Sequence, residues 1–330
     1  MSKALIAEIG NQVADFHGLR LDQGQNNATG AMHLANEERF TAANFSEPLT
    51  TYAVGWDDPN NIQATLDSVA PPVQVPRRFE YKEATNIESF LSDSDDIRAI
   101  GSPHKRIEQT GTSTNQRTLN KGLTMRLDRD EEAVAGGEEA AVARMMNRLF
   151  RNDLRRAITA LSGSGTNTAK TWDASAGKDP DMDVITDLIA GGDARGMQSN
   201  TIVYGDTSWS KRLLSFRAQD LAGQGNSSNM TMAELEGFFG VDKIVLSKER
   251  YQSTASAKTK ILQSYVLMYF AQQNLSKDDA SNIKQFWTPT DSGRVRVYRE
   301  ERAKFVDITV EHYSNIVLTS TLGLRRFTVS

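Results

Sequence analysis

EEAAVARMMNRLFRNDLRRAITALSGSG, residues 138–165, predicts the longest helix of the chain and the frame of its fold. Its apolar residues recur every three or four positions and form one stripe, which is typical of a helix packed on a core: Val142, Met145, Met146, Leu149, Phe150, Leu154, Ile158 and Leu161. The glycines of Ser162–Gly165 end the helix, and Asp128 or Asp130 would cap its start. We therefore predict a helix over about 130–161, roughly 45 Å long, unless the pair Gly136–Gly137 bends it or shortens it by two turns.

Four arginines follow another face of this helix. Arg144, Arg148, Arg151 and Arg155 are spaced by four, three and four residues, so they share one side. Such a face could contact phosphate groups, or it could form ion pairs with carboxylates of the same or a neighbouring chain. The net charge of -4 favours ion pairs.

The residues before the helix predict strands interrupted by a long excursion. From Pro48 to Asp130 the pattern is β-like and irregular, and between Thr85 and Lys121 the apolar residues are sparse. A two-stranded hairpin with so little apolar surface is marginal in water by itself. The excursion is therefore either a disordered loop or a long hairpin ordered by a neighbouring subunit, and composition alone favours disorder.

The first residues predict an arm. Leu5, Ile9, Val13 and Phe16 recur at helical spacing, and a polar, glycine-containing tract over 22–30 follows them. An apolar stripe on a loose tether could dock on another surface. An ordinary first helix packed on its own domain fits the periodicity equally well.

The chain after the long helix predicts a compact α/β domain. Helices and strands alternate from Asp181 to Asn274, after a small, polar linker over 166–178. Asp181 is predicted to cap a helix closed by Gly191–Gly192, with inward residues Val184, Ile185, Leu188 and Ile189. From Arg294 onward the pattern returns to the alternation of strands.

Patterns that would indicate an enzyme or a metal site are missing from the sequence. There are no cysteines and four histidines, none at metalloprotease spacing, and no glycine-rich phosphate loop. His312 is predicted to lie on a strand face, and Gly163-Ser164-Gly165 is a helix stop. Asp179, Asp181 and Asp183 alternate as in a calcium loop, but helix capping explains them better. We predict no catalytic residue, no metal and no cofactor.

Net charge and hydropathy indicate which functional classes of protein remain possible. A net charge of -4 over 330 residues argues against a dedicated nucleic-acid binder, although not against a protein that merely surrounds nucleic acid. The first ten residues lack the apolar core of a signal peptide, and no apolar stretch approaches the ~18 residues that span a bilayer. We expect a soluble, intracellular protein with no membrane partner.

Four features, in order, resemble the major capsid proteins of tailed bacteriophages, which have the Hong Kong 97-like fold. The first two are an N-terminal arm and an extended hairpin (E-loop), which ends in GLTMRLD, residues 122–128, before a long "spine" helix. The third resembles the axial domain and consists of NTIVYGDTSW (200–209), MAEL (232–235) and FGVDKIVL (239–246). The fourth resembles the closing strands and consists of DITVE (307–311) and TLGL (321–324). The Gly136–Gly137 pair and the long polar arm depart from the family's pattern.

This resemblance implies an α+β chain with a peripheral and an axial domain. The implied parts are an arm over 1–46; a peripheral domain over 47–162, with the E-loop at about 85–121 and the spine helix at about 130–161; an axial domain over 163–290; and return strands of the peripheral domain over 291–330.

It further implies a structural, non-enzymatic head protein of the virion, assembled in the bacterial host cytoplasm. The subunits would form hexamers and pentamers in an icosahedral or prolate shell, which would surround double-stranded DNA without sequence specificity. Scaffold, portal and decoration proteins are candidate partners. The candidates for intersubunit contact are Leu5, Ile9, Val13, Phe16, Ile97, Arg98, Lys105, Arg106 and Arg117. The four helix arginines would face inward or form ion pairs.

Two other functions stay open. An encapsulin-type compartment shares this fold and holds a cargo enzyme, although the long arm argues against it. An α/β enzyme with a dispersed site would form a small, discrete oligomer.

Overall fold

The computed structural model describes residues 44–83, 97–98, 100–104, 112–128, 136–175, 177–218, 229–272, 280–290 and 293–330. The helices are α1 (Glu47–Gly55), α2 (Ile62–Val69), α3 (Gly137–Ser164), α4 (Pro180–Arg195), α5 (Asp206–Ala218) and α6 (Met232–Phe239). The strands are β1 (Pro72–Gln74), β2 (Arg78–Glu83), β3 (Thr112–Arg117), β4 (Leu119–Asp128), β5 (Thr166–Lys170), β6 (Thr201–Gly205), β7 (Lys243–Ser247), β8 (Arg250–Gln252), β9 (Lys258–Lys260), β10 (Tyr265–Tyr269), β11 (Ile283–Thr288), β12 (Arg296–Glu301), β13 (Phe305–Leu318) and β14 (Arg325–Val329).

The first sheet is organised around β13. Strand β4 pairs with it along one edge, β12 and then β11 share the other edge, and β1 joins β11 in parallel. Val306, Ile308 and Val310 alternate along β13 and are fully buried on one face, as the period of a strand requires. The other face is polar but paired: Arg126 on β4 contacts Asp307 at 2.9 Å.

The second sheet has the order β5-β14-β10-β6-β7. Strand β6 is buried along its whole length, which explains why TIVYG is almost continuously apolar. Helices α4, α5 and α6 contact strands of this sheet, and their inner residues form a second core with Trp172 and Phe327.

Helix α3 connects the two sheets through one core. All eight residues of its predicted apolar stripe are buried, and they pack with residues of α1, α2 and the first sheet. Val203, Leu267 and Tyr269 of the second sheet belong to the same cluster. Residues of both sheets therefore pack in the same core as helix α3.

The ends of α3 differ from the prediction. Gly136 adopts a left-handed conformation (φ 81°) and forms the N-cap, so the helix begins at Gly137 and Asp128, the last residue of β4, does not cap it. The other predicted cap, Asp130, lies outside the described residues. Glycine tolerates this conformation because it has no Cβ. The helix continues to Ser164, three residues beyond the predicted end, because Gly165 is its C-cap. Its 28 residues span about 42 Å.

Helix α4 also differs in detail. Its N-cap is Asp179, whose carboxylate accepts hydrogen bonds from the backbone N–H groups of Asp181 and Met182. The acidic run is therefore a helix cap, as predicted, although through Asp179 rather than Asp181. The pair Gly191–Gly192 does not close the helix, which ends at Arg195 with Gly196 as its C-cap, and Ile189 points outward rather than inward.

Strand pairing divides the chain differently from the predicted boundaries. Strand β14 lies in the second sheet rather than among the return strands of the first. Strand β11 lies in the first sheet although it falls within 163–290. The end of the excursion is corrected as well, since residues 119–121 already belong to β4 and pair with β13. Among the described residues, no helix is long and apolar enough to cross a membrane.

Candidate interaction surfaces

The base of the excursion is a two-stranded hairpin. Strands β2 and β3 pair antiparallel from Arg78 opposite Arg117 to Glu83 opposite Thr112. One face is apolar, because the rings of Phe79 and Tyr81 lie 4.4 and 5.8 Å from that of Phe286 on the first sheet. The hairpin is therefore attached to the subunit by an aromatic cluster rather than by strand pairing.

Hydrogen bonds at the foot fix where the hairpin leaves the sheet. The backbone N–H of Thr118 donates to the carbonyl of Arg77 at 3.0 Å, and the hydroxyls of Thr118 and Thr288 lie 2.8 Å apart. Asn315 donates to the carbonyl of Arg117 at 2.9 Å.

Those residues of the excursion that the structure describes between β2 and β3 present apolar and cationic side chains to solvent. Ile97 is 83% exposed and Ile100 fully exposed, and Arg98 beside them is exposed as well. On the hairpin, Arg78 and Arg117 lie directly opposite each other. Like charges in that position destabilise an isolated pair of strands, so a carboxylate of a partner would offset this repulsion at the foot of the hairpin.

The predicted contact residues fall into two groups. Ile97, Arg98 and Arg117 are exposed on the excursion. The others lie outside the described residues: Leu5, Ile9, Val13, Phe16, Lys105 and Arg106. An intersubunit role stays a prediction for every one of them.

The four helix arginines share one side of α3, as their spacing predicts. Arg144, Arg148 and Arg155 are exposed. The Nε of Arg151 lies 3.7 Å from Glu249, and the guanidinium of Arg155 lies 4.7 Å from the centre of the Tyr251 ring. The predicted ion pair within the chain therefore exists for Arg151.

A buried charge network, which was not predicted, joins α3 to the first sheet. Asp153 is fully buried and accepts hydrogen bonds from Lys121 at 2.8 Å and from Ser314 at 3.1 Å. Its other contacts are Arg156 and the Nε2 of His312, at 3.2 Å. A sequence signal existed, since Asp153 interrupts the apolar side of the helix next to Leu154. Its partners follow only from the pairing of β4 with β13.

The electrostatics of this network favour the ionised acid. Burial would raise the pKa of Asp153, but the hydrogen bond from His312 and the charge of Lys121 outweigh it and hold that pKa well below its usual range. Burial lowers the pKa of Lys121, opposed by the charge of Asp153. His312 and Ser314 are buried too, so this arrangement is closed to a substrate.

A second buried ion pair holds the helices on the second sheet. Arg212 of α5 donates two hydrogen bonds of 2.7 Å to the carboxylate of Asp181 on α4. Burial raises the pKa of Asp181 although the contacts with Arg212 oppose the shift. Within the described ranges, no group of three or more His, Asp or Glu side chains could hold a metal ion.

Comparison with known proteins identifies the fold. No protein-family model matches the sequence, and no curated protein matches it by sequence. Among solved structures, a phage-related protein from Bordetella bronchiseptica matches with a TM-score of 0.64 at 15% identity, over 86% of this chain and 96% of that one.

Two further similar structures are the mature capsid of bacteriophage PhiM1 (TM-score 0.46, 10% identity, 80% of this chain and 86% of that one) and the capsid of the cyanophage P-SCSP1u (0.45, 10%, 80% and 87%). The chain therefore has the fold of the Bordetella phage-related protein, and its architecture is α+β as predicted.

Proposed function

We propose that this chain is a major capsid protein, a structural subunit that assembles with copies of itself into the shell of a virion. The fold shared with a phage-related protein supports this function. The observation that carries it is the excursion, whose foot is fixed on the subunit while Ile97 and Ile100 are exposed.

The exposed side chains of Ile97 and Ile100 leave apolar surface in contact with water in a monomer. Burial of an isoleucine side chain contributes about 1.5–3 kcal/mol, so a neighbouring subunit that covers Ile97 and Ile100 would stabilise the contact. Because each subunit of a closed shell meets several neighbours, modest contacts combine into a stable assembly. We further propose hexamers and pentamers, assembled in the bacterial cytoplasm around double-stranded DNA, with scaffold, portal and decoration proteins as partners.

Shortening the excursion tests this proposal. Removal of residues 97–104 should leave a folded, soluble subunit that forms no large particles in light scattering and electron microscopy. The double variant Ile97→Ser/Ile100→Ser should likewise lose the ability to form large particles. The control Ile97→Leu/Ile100→Leu, which keeps the apolar surface, should assemble.

Normal shells from the shortened chain would contradict the role of the excursion. A wild-type chain that forms only a small, discrete oligomer would contradict the shell itself and favour an enzyme. Shells that co-purify with an enzyme rather than with nucleic acid would favour an encapsulin-type compartment.

A further inference from the structure

A positively charged groove lies between helix α3 and the β8–β9 hairpin. Its walls carry Arg151 from the helix and Lys248, Arg250 and Lys258 from the hairpin region. Lys260 lies opposite Arg250 in the hairpin, and the arginine side of α3 extends the charge along the helix. We call this surface the cationic groove, formed by Arg144, Arg148, Arg151, Arg155, Lys248, Arg250, Lys258 and Lys260.

Carboxylates balance only part of this charge. Glu249 lies 3.7 Å from Arg151, and Asp206 pairs with both Arg250, at 2.8 Å, and Lys260, at 3.0 Å. These two carboxylates stand against the eight cations of the groove, although the chain as a whole has a net charge of -4. The positive charge is therefore concentrated on one surface of an acidic protein.

The geometry of the groove suits a linear polyanion. From Arg144 to Arg155 the charges extend about 16 Å along a helix, whereas double-stranded DNA carries one negative charge per ~1.7 Å of its axis. Stacking on Tyr251, at 4.7 Å, holds the face of the Arg155 guanidinium and leaves its edge to donate hydrogen bonds to an anion.

The absence of exposed apolar side chains distinguishes this groove from a protein-binding surface. In the part of the chain that the structure describes, the exposed large apolar residues lie elsewhere: Tyr52, Val54, Ile97, Ile100, Leu119, Met182, Ile189, Met197, Leu214 and Phe238. The centre of a protein–protein interface is enriched in aromatic and apolar residues, whereas an interface with nucleic acid is polar and strongly positive. The groove has the polar, strongly positive composition of an interface with nucleic acid.

We propose that the cationic groove contacts the phosphate backbone of double-stranded DNA without reading its base sequence. The proposal rests on the proposed function, because it makes the groove part of the surface that faces the contents of the shell. Each contact is weak, and the contacts of many subunits would add along the packed DNA.

The variant Arg148→Gln/Lys258→Gln tests the groove in the full chain. Its control is Arg217→Gln/Lys304→Gln, which removes the same charge from two exposed positions at the end of α5 and before β13. The probe is a 30-base-pair duplex of two unrelated sequences, and the measurement is fluorescence anisotropy across a series of salt concentrations. Particle formation by each variant is followed separately by electron microscopy.

We expect the wild type and the control to bind both duplexes equally, with affinity falling as salt rises. The groove variant should bind about tenfold more weakly at low salt, and its slope of log affinity against log salt should be shallower by about 1.8, since each lost phosphate contact contributes ~0.9. It should still form shells.

Three results would overturn the inference. The wild type could fail to bind either duplex at low salt, or the groove variant and the control could bind alike. The groove variant could also lose shell assembly while the control keeps it, which would assign the groove to carboxylates of a neighbouring subunit. Loss of shells by every variant and the wild type, with groove-dependent DNA binding intact, would contradict the proposed function but not the groove.

Discussion

Gly323 shows how a single residue constrains the turn between the two sheets. It has a φ of +63°, and a Cβ at this position would lie 2.5 Å from the carbonyl oxygen of Gly191. The turn therefore requires glycine for both its conformation and the close approach of α4. Substitution combines backbone strain with a steric clash.

We predict that Gly323→Ala destabilises the subunit by about 2 kcal/mol or more. The control is Gly237→Ala on α6, where a Cβ meets no atom within 4 Å; alanine there should be neutral or stabilise by up to ~1 kcal/mol. Thermal denaturation of both variants checks this. Equal midpoints for the two variants would show that the turn rearranges to accept the side chain.

Asp153 supports a second prediction at the residue scale. Asp153→Asn leaves the buried Lys121 without its counter-charge, and breaking a buried ion pair costs roughly 3–5 kcal/mol. Glu301→Gln, which changes a half-exposed carboxylate paired with Arg299, should cost less than ~1 kcal/mol. Urea denaturation at neutral pH measures both.

The effect of Asp153 also has a defined pH dependence. Because its folded pKa lies below the unfolded value of ~3.9, its stabilisation is fully present above that value and is lost as the pH falls through the folded pKa. The difference in stability between the wild type and Asp153→Asn should therefore shrink on acidification below pH 4. A constant difference down to pH 2 would contradict the ionised network.

At the scale of elements, the sequence pattern predicted those features that depend on residues near one another in the chain. The buried side of α3 follows from the spacing of its apolar residues, and all of those residues are buried. The local pattern left the polar strand β3 open between a hairpin and a disordered loop, because Thr112–Arg117 has no apolar alternation; it is a strand that pairs with β2. The place of β14 was missed since it depends on a parallel partner about 160 residues earlier in the chain.

For the candidate surfaces too, the sequence pattern predicted only what lies within one element. The common side of the helix arginines follows from spacing within one element. The β8–β9 hairpin that completes the cationic groove, and the partners of Asp153 on β4 and β13, follow from tertiary contacts that no local pattern encodes.

We predict that the β2–β3 hairpin opens separately from the rest of the subunit. It is attached through an aromatic cluster and a few hydrogen bonds at its foot, whereas β13 has strand partners along both edges. Phe79→Ala should raise amide exchange in β2 and β3 by on the order of 100-fold, since loss of a buried phenylalanine costs ~3 kcal/mol or more. Exchange in β13 should change little.

The control for this experiment removes a ring from an exposed site. Phe238→Ala on α6, where the ring is half exposed, should leave the exchange of the hairpin unchanged. If Phe79→Ala accelerated exchange in β13 as strongly as in β2 and β3, the hairpin would be part of the global folding unit.

At the scale of the whole molecule, the shared core makes the two sheets interdependent. Helix α3 buries side chains against residues of both sheets, and Tyr269 of the second sheet donates a hydrogen bond to the carbonyl of Val69 at 2.9 Å. Loss of either sheet would expose the helix that supports the other. The two sheets and the helix between them in sequence are therefore expected to unfold together.

The four tryptophans allow a direct test, because two lie with each sheet. Trp56 packs against the shared core and Trp287 lies on β11, whereas Trp172 and Trp209 belong to the core of the second sheet. In Trp56→Phe/Trp287→Phe the fluorescence reports only the second sheet, and in Trp172→Phe/Trp209→Phe only the first. We predict that, within each variant, the denaturation midpoint from fluorescence coincides with that from far-ultraviolet circular dichroism, as in a single cooperative transition. This prediction would be wrong if the fluorescence midpoint of the second sheet fell at a lower denaturant concentration than the circular dichroism midpoint. The two sheets would then be separate domains that merely touch at α3.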